Sequence, residues 1–304
     1  MFSHLLLPLD GSSLAEAALP AAISLARSFA ARVTLFHVIE RSAPKEVHGE
    51  RHLDEPEGAK AYLREVAGRA FPADVPVEFH VHEDPENSVA LSIARHADEF
   101  GIDLVVMCTH GRGGLKAFMF GRIAQQAAAF SAMPVLFVQP GESGNEREFA
   151  CRRLLVPLDG NSEHEQGLAV ARQIAGVYGA EINLVMVVHK VDTLPAEDAA
   201  AARMLPLVTS ALLGIAQKDA EDYLDGHVDR LRSEGFSTEK NVFRGDPVSA
   251  IAEAAEQKNA DLVVLATHAK IGLNAFWSRS ATPQISRKLR MPILLVPVTE
   301  KGPD

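Results

Sequence analysis

Two glycines, Gly111 and Gly121, follow the apolar run Asp103–Met107 and lead into a helical pattern at Ile123. A glycine-bearing loop between a strand and a helix lets backbone N–H groups approach an anion, and the helix N-terminus adds positive potential. The stretch also carries Met107, Cys108 and His110, and it closes on Arg122 where a phosphate loop usually offers Ser or Thr. Arginine presents a charged fork of donors to phosphate, but it is much bulkier than a hydroxyl and could fill the site instead. Three readings stand at this point: a nucleotide site, an altered one, or a tight turn.

Other chemistry-bearing residues give weaker patterns. His80 and His82 alternate on one strand and so face one side. With Asp84 they could approach a metal, but no complete ligand set is visible and zinc is not expected. His48 and His52 have i, i+4 spacing only if their segment is helical, and the same judgement applies. Cys108 is either a redox-sensitive thiol or a buried inert one, and Lys116 reads as a solvated lysine. No Ser-His-Asp order, paired loop carboxylates or Gly-Lys-Ser/Thr lysine occurs, so no catalytic residue is assigned and nucleotide hydrolysis is slow at most.

Composition narrows the classes. With 304 residues and net charge −10, the chain is of two-domain length and a poor general binder of nucleic acid. Two cysteines, Cys108 and Cys151, give no disulfide framework. The start Met1–Pro8 has no basic region and reads as a first strand. No apolar run nears the roughly 20 residues of a membrane span. A cytoplasmic location is expected.

The elements that must position the loop occur twice. Pro8-Leu9-Asp10-Gly11 returns as Pro157-Leu158-Asp159-Gly160, Asp103–Val106 as Asp261–Val264, and Met133-Pro134-Val135-Leu136 as Met291-Pro292-Ile293-Leu294. The early pairs keep one offset and the late pairs a larger one, placing net extra residues in Leu194–Gly214. Domains are expected at 1–141 and 150–304, joined by the polar, glycine-containing stretch Gly141–Glu148. In the first copy the patterns predict strand Leu5–Leu9, helix Ser13–Ala30, strand Val33–Ile39, a polar loop over 41–56, helix 57–70 and strand Val77–His82. Helix Ser88–Glu99, strand Leu104–Met107, the loop, helix 122–130 and strand Val135–Val138 complete it. Strands that are continuous apolar runs alternating with helices imply a doubly wound, mainly parallel α/β sheet in each copy. Ligands of such folds bind beyond the carboxyl ends of strands at the switch in strand order. Pro8, Leu9, Asp10, Val38 and the opening loop all lie at carboxyl ends.

These motifs resemble the universal stress protein family, over nearly the whole chain as two tandem copies. The resemblance implies two five-stranded nucleotide-binding domains of the α-hydrolase-like kind, related by a pseudo-two-fold. ATP-binding members carry Gly-x2-Gly-x9-Gly-Ser/Thr at the loop. The first copy reads Cys108-x2-Gly111-x9-Gly121-Arg122, keeping two glycines. The second reads Ala266-x2-Ala269-x9-Arg279-Ser280, keeping only the serine. The resemblance puts Asp10 and Asp159 near the adenosine, with Gly111, Gly121 and Arg122 around the phosphates. His110 and His268 would approach the phosphates through backbone. It implies ATP in the first copy and a degenerate second site, where Phe276, Trp277 and Leu205–Leu213 offer apolar surface instead. It also implies pairing of the two last strands within the chain; a homodimer of chains is compatible with the sequence. The expected function is a stress-response nucleotide-binding or signalling module. The alternative is a nucleotide-free scaffold for an apolar ligand or a protein partner, and an ATP-dependent substrate-activating enzyme is disfavoured because its loop motifs are missing.

Overall fold

The computed structural model of the chain describes residues 1–41, 46–47, 50–109, 121–140, 149–194, 196–267 and 282–298. It divides into two compact units, one built on Met1–Ala150 and the other on Cys151–Thr267.

The first unit begins with β1 (His4–Pro8), whose Leu5, Leu6 and Leu7 are fully buried. Ser12 then caps α1 (Ser13–Glu16) by accepting from the Ala15 amide, and α2 (Leu19–Phe29) comes next. The single helix expected over Ser13–Ala30 is therefore interrupted. Pro20 has no N–H for the Glu16 carbonyl, and its ring disfavours a helical approach there. The amides of Ala17 and Ala18 bond three residues back instead, to Leu14 and Ala15. Leu19, Ala22, Leu25, Ala26 and Phe29 still give α2 one buried stripe. Ala30 ends it in a left-handed conformation at φ 52°.

Next come β2 (Arg32–Glu40), a short antiparallel pair β3 (Glu46–Val47) and β4 (Glu50–Arg51), α3 (Pro56–Ala70) and β5 (Val77–Glu86). His52 comes directly after an extended strand, so it has no helical spacing to His48, which lies outside the described residues. The unit continues with α4 (Val89–Glu99), β6 (Leu104–Cys108), α5 (Arg122–Phe130) and β7 (Val135–Val138). The strand order is β7-β6-β1-β2-β5, all parallel. Helices cover both faces: α3 sets Arg64 over the Phe79 ring, while α4 sets His96 against its neighbour His80, and adjacent strand residues point to opposite sides.

The second unit repeats the scheme with β8 (Arg153–Leu158), α6 (Glu165–Tyr178), β9 (Glu181–Val188), α7 (Ala196–Met204), α8 (Pro206–Ser233) and β10 (Thr238–Arg244). After these come α9 (Pro247–Gln257), β11 (Leu262–Thr267) and α10 (Thr282–Lys288). Its parallel strands run β10-β9-β8-β11. The final strand β12 (Ile293–Pro297) belongs to the first unit, where it lies antiparallel to β7 with Leu294 opposite Leu136. The inserted residues of the second copy form α7 and the start of α8. Val191 before them, and Met204, Leu205, Leu207, Val208, Leu212 and Ile215 within them, leave large apolar side chains exposed.

His80 and His82 do share one side of β5, turned onto α4. The His80 ring stacks on Phe36 at 5.8 Å and lies 5.3 Å from His96, and the His82 ring lies 4.9 Å from His96. Among the described residues no three ligating side chains come together to hold a metal. Burial, then the charges of His96 and His82, holds His80 below its ordinary range against the pull of Glu99 and Glu83. His4 and His52 are lowered as well, chiefly by burial. Each takes up its proton at higher pH in the unfolded chain, so the stability it contributes is complete above about pH 6.5 and declines as pH falls below that. We expect the denaturation midpoint to drop between pH 7.5 and 5.5, and His80→Phe to make that drop shallower. An unchanged pH slope in the variant would contradict this account.

Candidate functional site

The switch in strand order falls between β1 and β6, and a crevice opens at their carboxyl ends. Pro8, Leu9 and Asp10 from β1 and its turn, Val38 from β2, and Met107 and Cys108 from β6 line one cavity of about 130 Å³. Val89 and Ile93 of α4, and Ile123 and Ala124 at the start of α5, close it from the helix side. Its walls are mostly apolar, with Asp10, Glu40 and two histidines as the polar groups.

Local bonds explain why these side chains meet. The Leu9 amide donates to the Phe36 carbonyl at 2.8 Å, carrying β1 one residue further beside β2. Asp10 Oδ1 accepts from the Ser12 amide at 2.9 Å and the Ser12 hydroxyl at 2.6 Å, which fixes the turn into α1. Gly11 sits in that turn at φ +91°, and a Cβ there would lie 2.8 Å from Leu53. Leu53 belongs to the segment after β4, which acts as a strap along the crevice. His37 lies between the strand and the strap: its Nδ1 is 2.7 Å from the Leu9 carbonyl and its Nε2 is 3.0 Å from the Leu53 carbonyl, and the nitrogen that carries the proton donates.

Gly121 caps α5 in an extended conformation at φ −60°, without a side-chain cap. The left-handed backbone that its glycine would have allowed is not used. Arg122 is the first helical residue and is exposed. Cys108 is buried, and burial followed by the Asp10 charge pushes its thiol up to about 12, which disfavours the reactive thiolate. His110, Gly111 and Lys116 lie outside the described residues.

In the second unit the matching aspartate is occupied by its own turn. Asp159 Oδ1 accepts from the Asn161 amide at 3.0 Å, and Oδ2 pairs with His164 Nδ1 at 2.7 Å. Helix α6 presses onto the end of β11: a Cβ at Gly167 would stand 3.3 Å from the Ala266 amide nitrogen. His268, Ala269, Phe276, Trp277, Arg279 and Ser280 lie outside the described residues, as does the Gly141–Glu148 stretch.

Sequence reasoning missed His37, Glu40 and the binding-wall position of His52. A signal existed for His37, an imidazole inside the otherwise apolar run Val33–Ile39 apart from Thr34. His52 had none, because its placement depends on a strap with no periodic pattern.

A model of the universal stress protein family matches residues 1–139 and again 150–297. The chain belongs to the universal stress protein family. Among curated relatives, the universal stress protein YxiE of Bacillus subtilis is 30% identical over 153 residues, covering 46% of this chain and 100% of that one. A solved universal stress protein from Archaeoglobus fulgidus DSM 4304 aligns over 98% of this chain and 97% of its own, with TM-score 0.64 and 16% identity. A putative universal stress protein from Pseudomonas aeruginosa aligns over 97% and 93%, with TM-score 0.65 and 16% identity. At such identities the likeness is one of fold, and it extends over both tandem copies of this family member. No helix among the described residues is long and apolar enough to cross a membrane.

The Gly11 turn is tightly packed against the strap. Gly11→Ala combines a positive φ with a contact onto Leu53 and should cost about 1–3 kcal/mol. Urea denaturation measures it; a midpoint equal to the wild type would mean that the strap does not pack on this turn.

Proposed function

We propose that this universal stress protein acts in the cytoplasm as a nucleotide-binding module of the stress response, taking ATP in its first copy. The observation that carries the reading is the crevice at the carboxyl ends of β1, β2 and β6, the position where doubly wound sheets take ligands. Cavities of roughly 150 Å³ hold a benzene ring, so a cavity of about 130 Å³ suits a flat heteroaromatic base, with sugar and phosphates left to the crevice outside it. Asp10 retains an oxygen not engaged by Ser12 and can accept from ribose hydroxyls. Helix α5, uncapped by any side chain, offers its first-turn amides to phosphate, with the exposed Arg122 guanidinium beside them. Gly111, His110, Gly121 and Arg122 then form the phosphate end. The described lining of the cavity takes in Ile123 and Ala124 but not Arg122, which supports reading Arg122 as a donor rather than a plug. The role is binding and signalling, with hydrolysis slow at most.

The two sequence copies, 1–141 and 150–304, are the functional domains in this reading, and the β7–β12 pairing is what replaces the dimer edge of a single-domain member. The second copy takes a different ligand. Its Asp159 is consumed by Asn161 and His164, and its inserted helices expose Leu207, Val208, Leu212 and Ile215. An apolar ligand or protein partner suits that surface better than ATP.

Calorimetric titration with ATP tests the assignment. We expect wild-type binding below the millimolar range, loss of about tenfold in Asp10→Asn from weakened charge-assisted hydrogen bonds, and no change in Asp159→Asn. Absence of wild-type binding, or equal losses in both variants, would remove the first-copy site.

A further inference from the structure

His52 is a residue of the cavity wall whose ring chemistry the described fold does not use. Its side chain is buried at 7% exposure, and among the described residues neither ring nitrogen has a hydrogen-bond partner. Buried polar atoms are paired in the great majority of cases, so an orphaned imidazole needs a cause. Its ring lies 6.3 Å from the His37 ring, whose two nitrogens are already directed at the Leu9 and Leu53 carbonyls. The strap does not leave His52 free to swing away. His37 holds the next residue, Leu53, by its carbonyl, and the Leu53 side chain rests on Gly11. Burial first, and the charge of His37 second, lower the His52 pKa, against the opposing charges of Glu40, Asp10 and Asp54. The ring is accordingly neutral at physiological pH and carries one N–H donor and one bare nitrogen acceptor.

Its position fits one part of a nucleotide. Helix α5 starts beyond β6, and β6, β1 and β2 are successive strands of the sheet. Strands lie about 4.8 Å apart, so from the end of β6 to the strap beside the end of β2 is about 10 Å, the span of a ribose and its base. Phosphates at α5 and ribose at Asp10 bring the base to Val38, Glu40 and His52. We propose that His52 is the base-reading residue of this crevice, donating to or accepting from the edge of the nucleobase. The proposal rests on the reading that the first copy binds a nucleotide, and it adds which residue holds the edge of the base. Glu40 also lines the cavity, and its charge acts on His52. A carboxylate accepts only, so it favours a base that presents an exocyclic amine, as adenine does, over one that presents an oxo group there. The ligand class is therefore a nucleotide whose base carries an exocyclic amine.

The histidine is kept at a cost to the ligand-free fold, since buried polar atoms without partners are unfavourable, and sites that break a local packing rule are commonly functional ones. Two variants of the full chain separate recognition from structure. His52→Ala should bind ATP about tenfold more weakly, the loss expected for one to two hydrogen bonds, while tripolyphosphate, which has no base, binds as it does to the wild type. His52→Gln, which keeps a donor and an acceptor, should recover most of the ATP affinity. Inosine triphosphate, with oxo in place of the amine, should bind the wild type more weakly than ATP, and that difference should shrink in Glu40→Gln, whose amide can also donate. In the ligand-free state His52→Phe should melt no lower than the wild type. Unchanged ATP affinity in His52→Ala, on a wild type that does bind ATP, overturns the proposal. So does an equal loss for ATP and tripolyphosphate together with a lowered melting temperature, which is the mark of a packing role. A wild type that binds neither ATP nor inosine triphosphate overturns the nucleotide reading itself, and this proposal with it.

Discussion

Everything in the first site depends on β1 lying beside β6. That adjacency is where strand order reverses, and it is pinned at the opposite end of the strands by one carboxylate. Asp103, just ahead of β6, accepts from the Ser3 amide at 2.7 Å, the Ser3 hydroxyl at 2.7 Å and the His4 amide at 3.2 Å. Hydrogen bonds to a charged group are worth about 1.5–3 kcal/mol each when shielded and less where exposed, as here. Their value is as much in register as in energy. Leu5 sits opposite Leu104 and Leu6 opposite Val105, so the far ends of the two strands deliver Asp10 and Cys108 to the same crevice. The second copy uses the same device, with Asp261 accepting from the Arg152 and Arg153 amides at 2.9 Å each.

With the frame shared, the difference between the copies arises in the turn and helix after the first strand. In the first copy Pro20 breaks the helix and Ser12 takes only one oxygen of Asp10. In the second, Ala169 occupies the place that corresponds to Pro20, and α6 runs unbroken over it. Gly167 lets that helix settle against Ala266, and His164 takes the remaining oxygen of Asp159. The frame was preserved through divergence while the ligand end changed, because strand register is fixed by many buried contacts and the turn by a few side chains.

Much of this is legible in the sequence, for reasons specific to particular segments. Helix 122–130 and strand Val135–Val138 fall where the patterns put them, since each is short, periodic and bounded by Gly121 or Pro134. Asp10, Val38, Met107 and Cys108 can be placed at strand ends because apolar runs mark where parallel strands stop. The interruption at Ala17–Ala18 escapes the pattern because the alanine stripe reads as one helix and a single proline must be weighed against it. The apolar pattern that starts at Val77 stops at His82, yet the strand runs on to Glu86, carried by pairing with β2 rather than by composition. The strap reads as a loop, and nothing local announces that Leu53 packs on Gly11 or that His37 reaches its carbonyl. Those contacts join residues distant in sequence, which periodicity does not register.

The central claim is that duplication left one nucleotide site and one site turned to another use. Native mass spectrometry of the intact chain at saturating ATP counts ligands directly. The account predicts a single bound ATP per chain; a stoichiometry of two, or none at all, would contradict it.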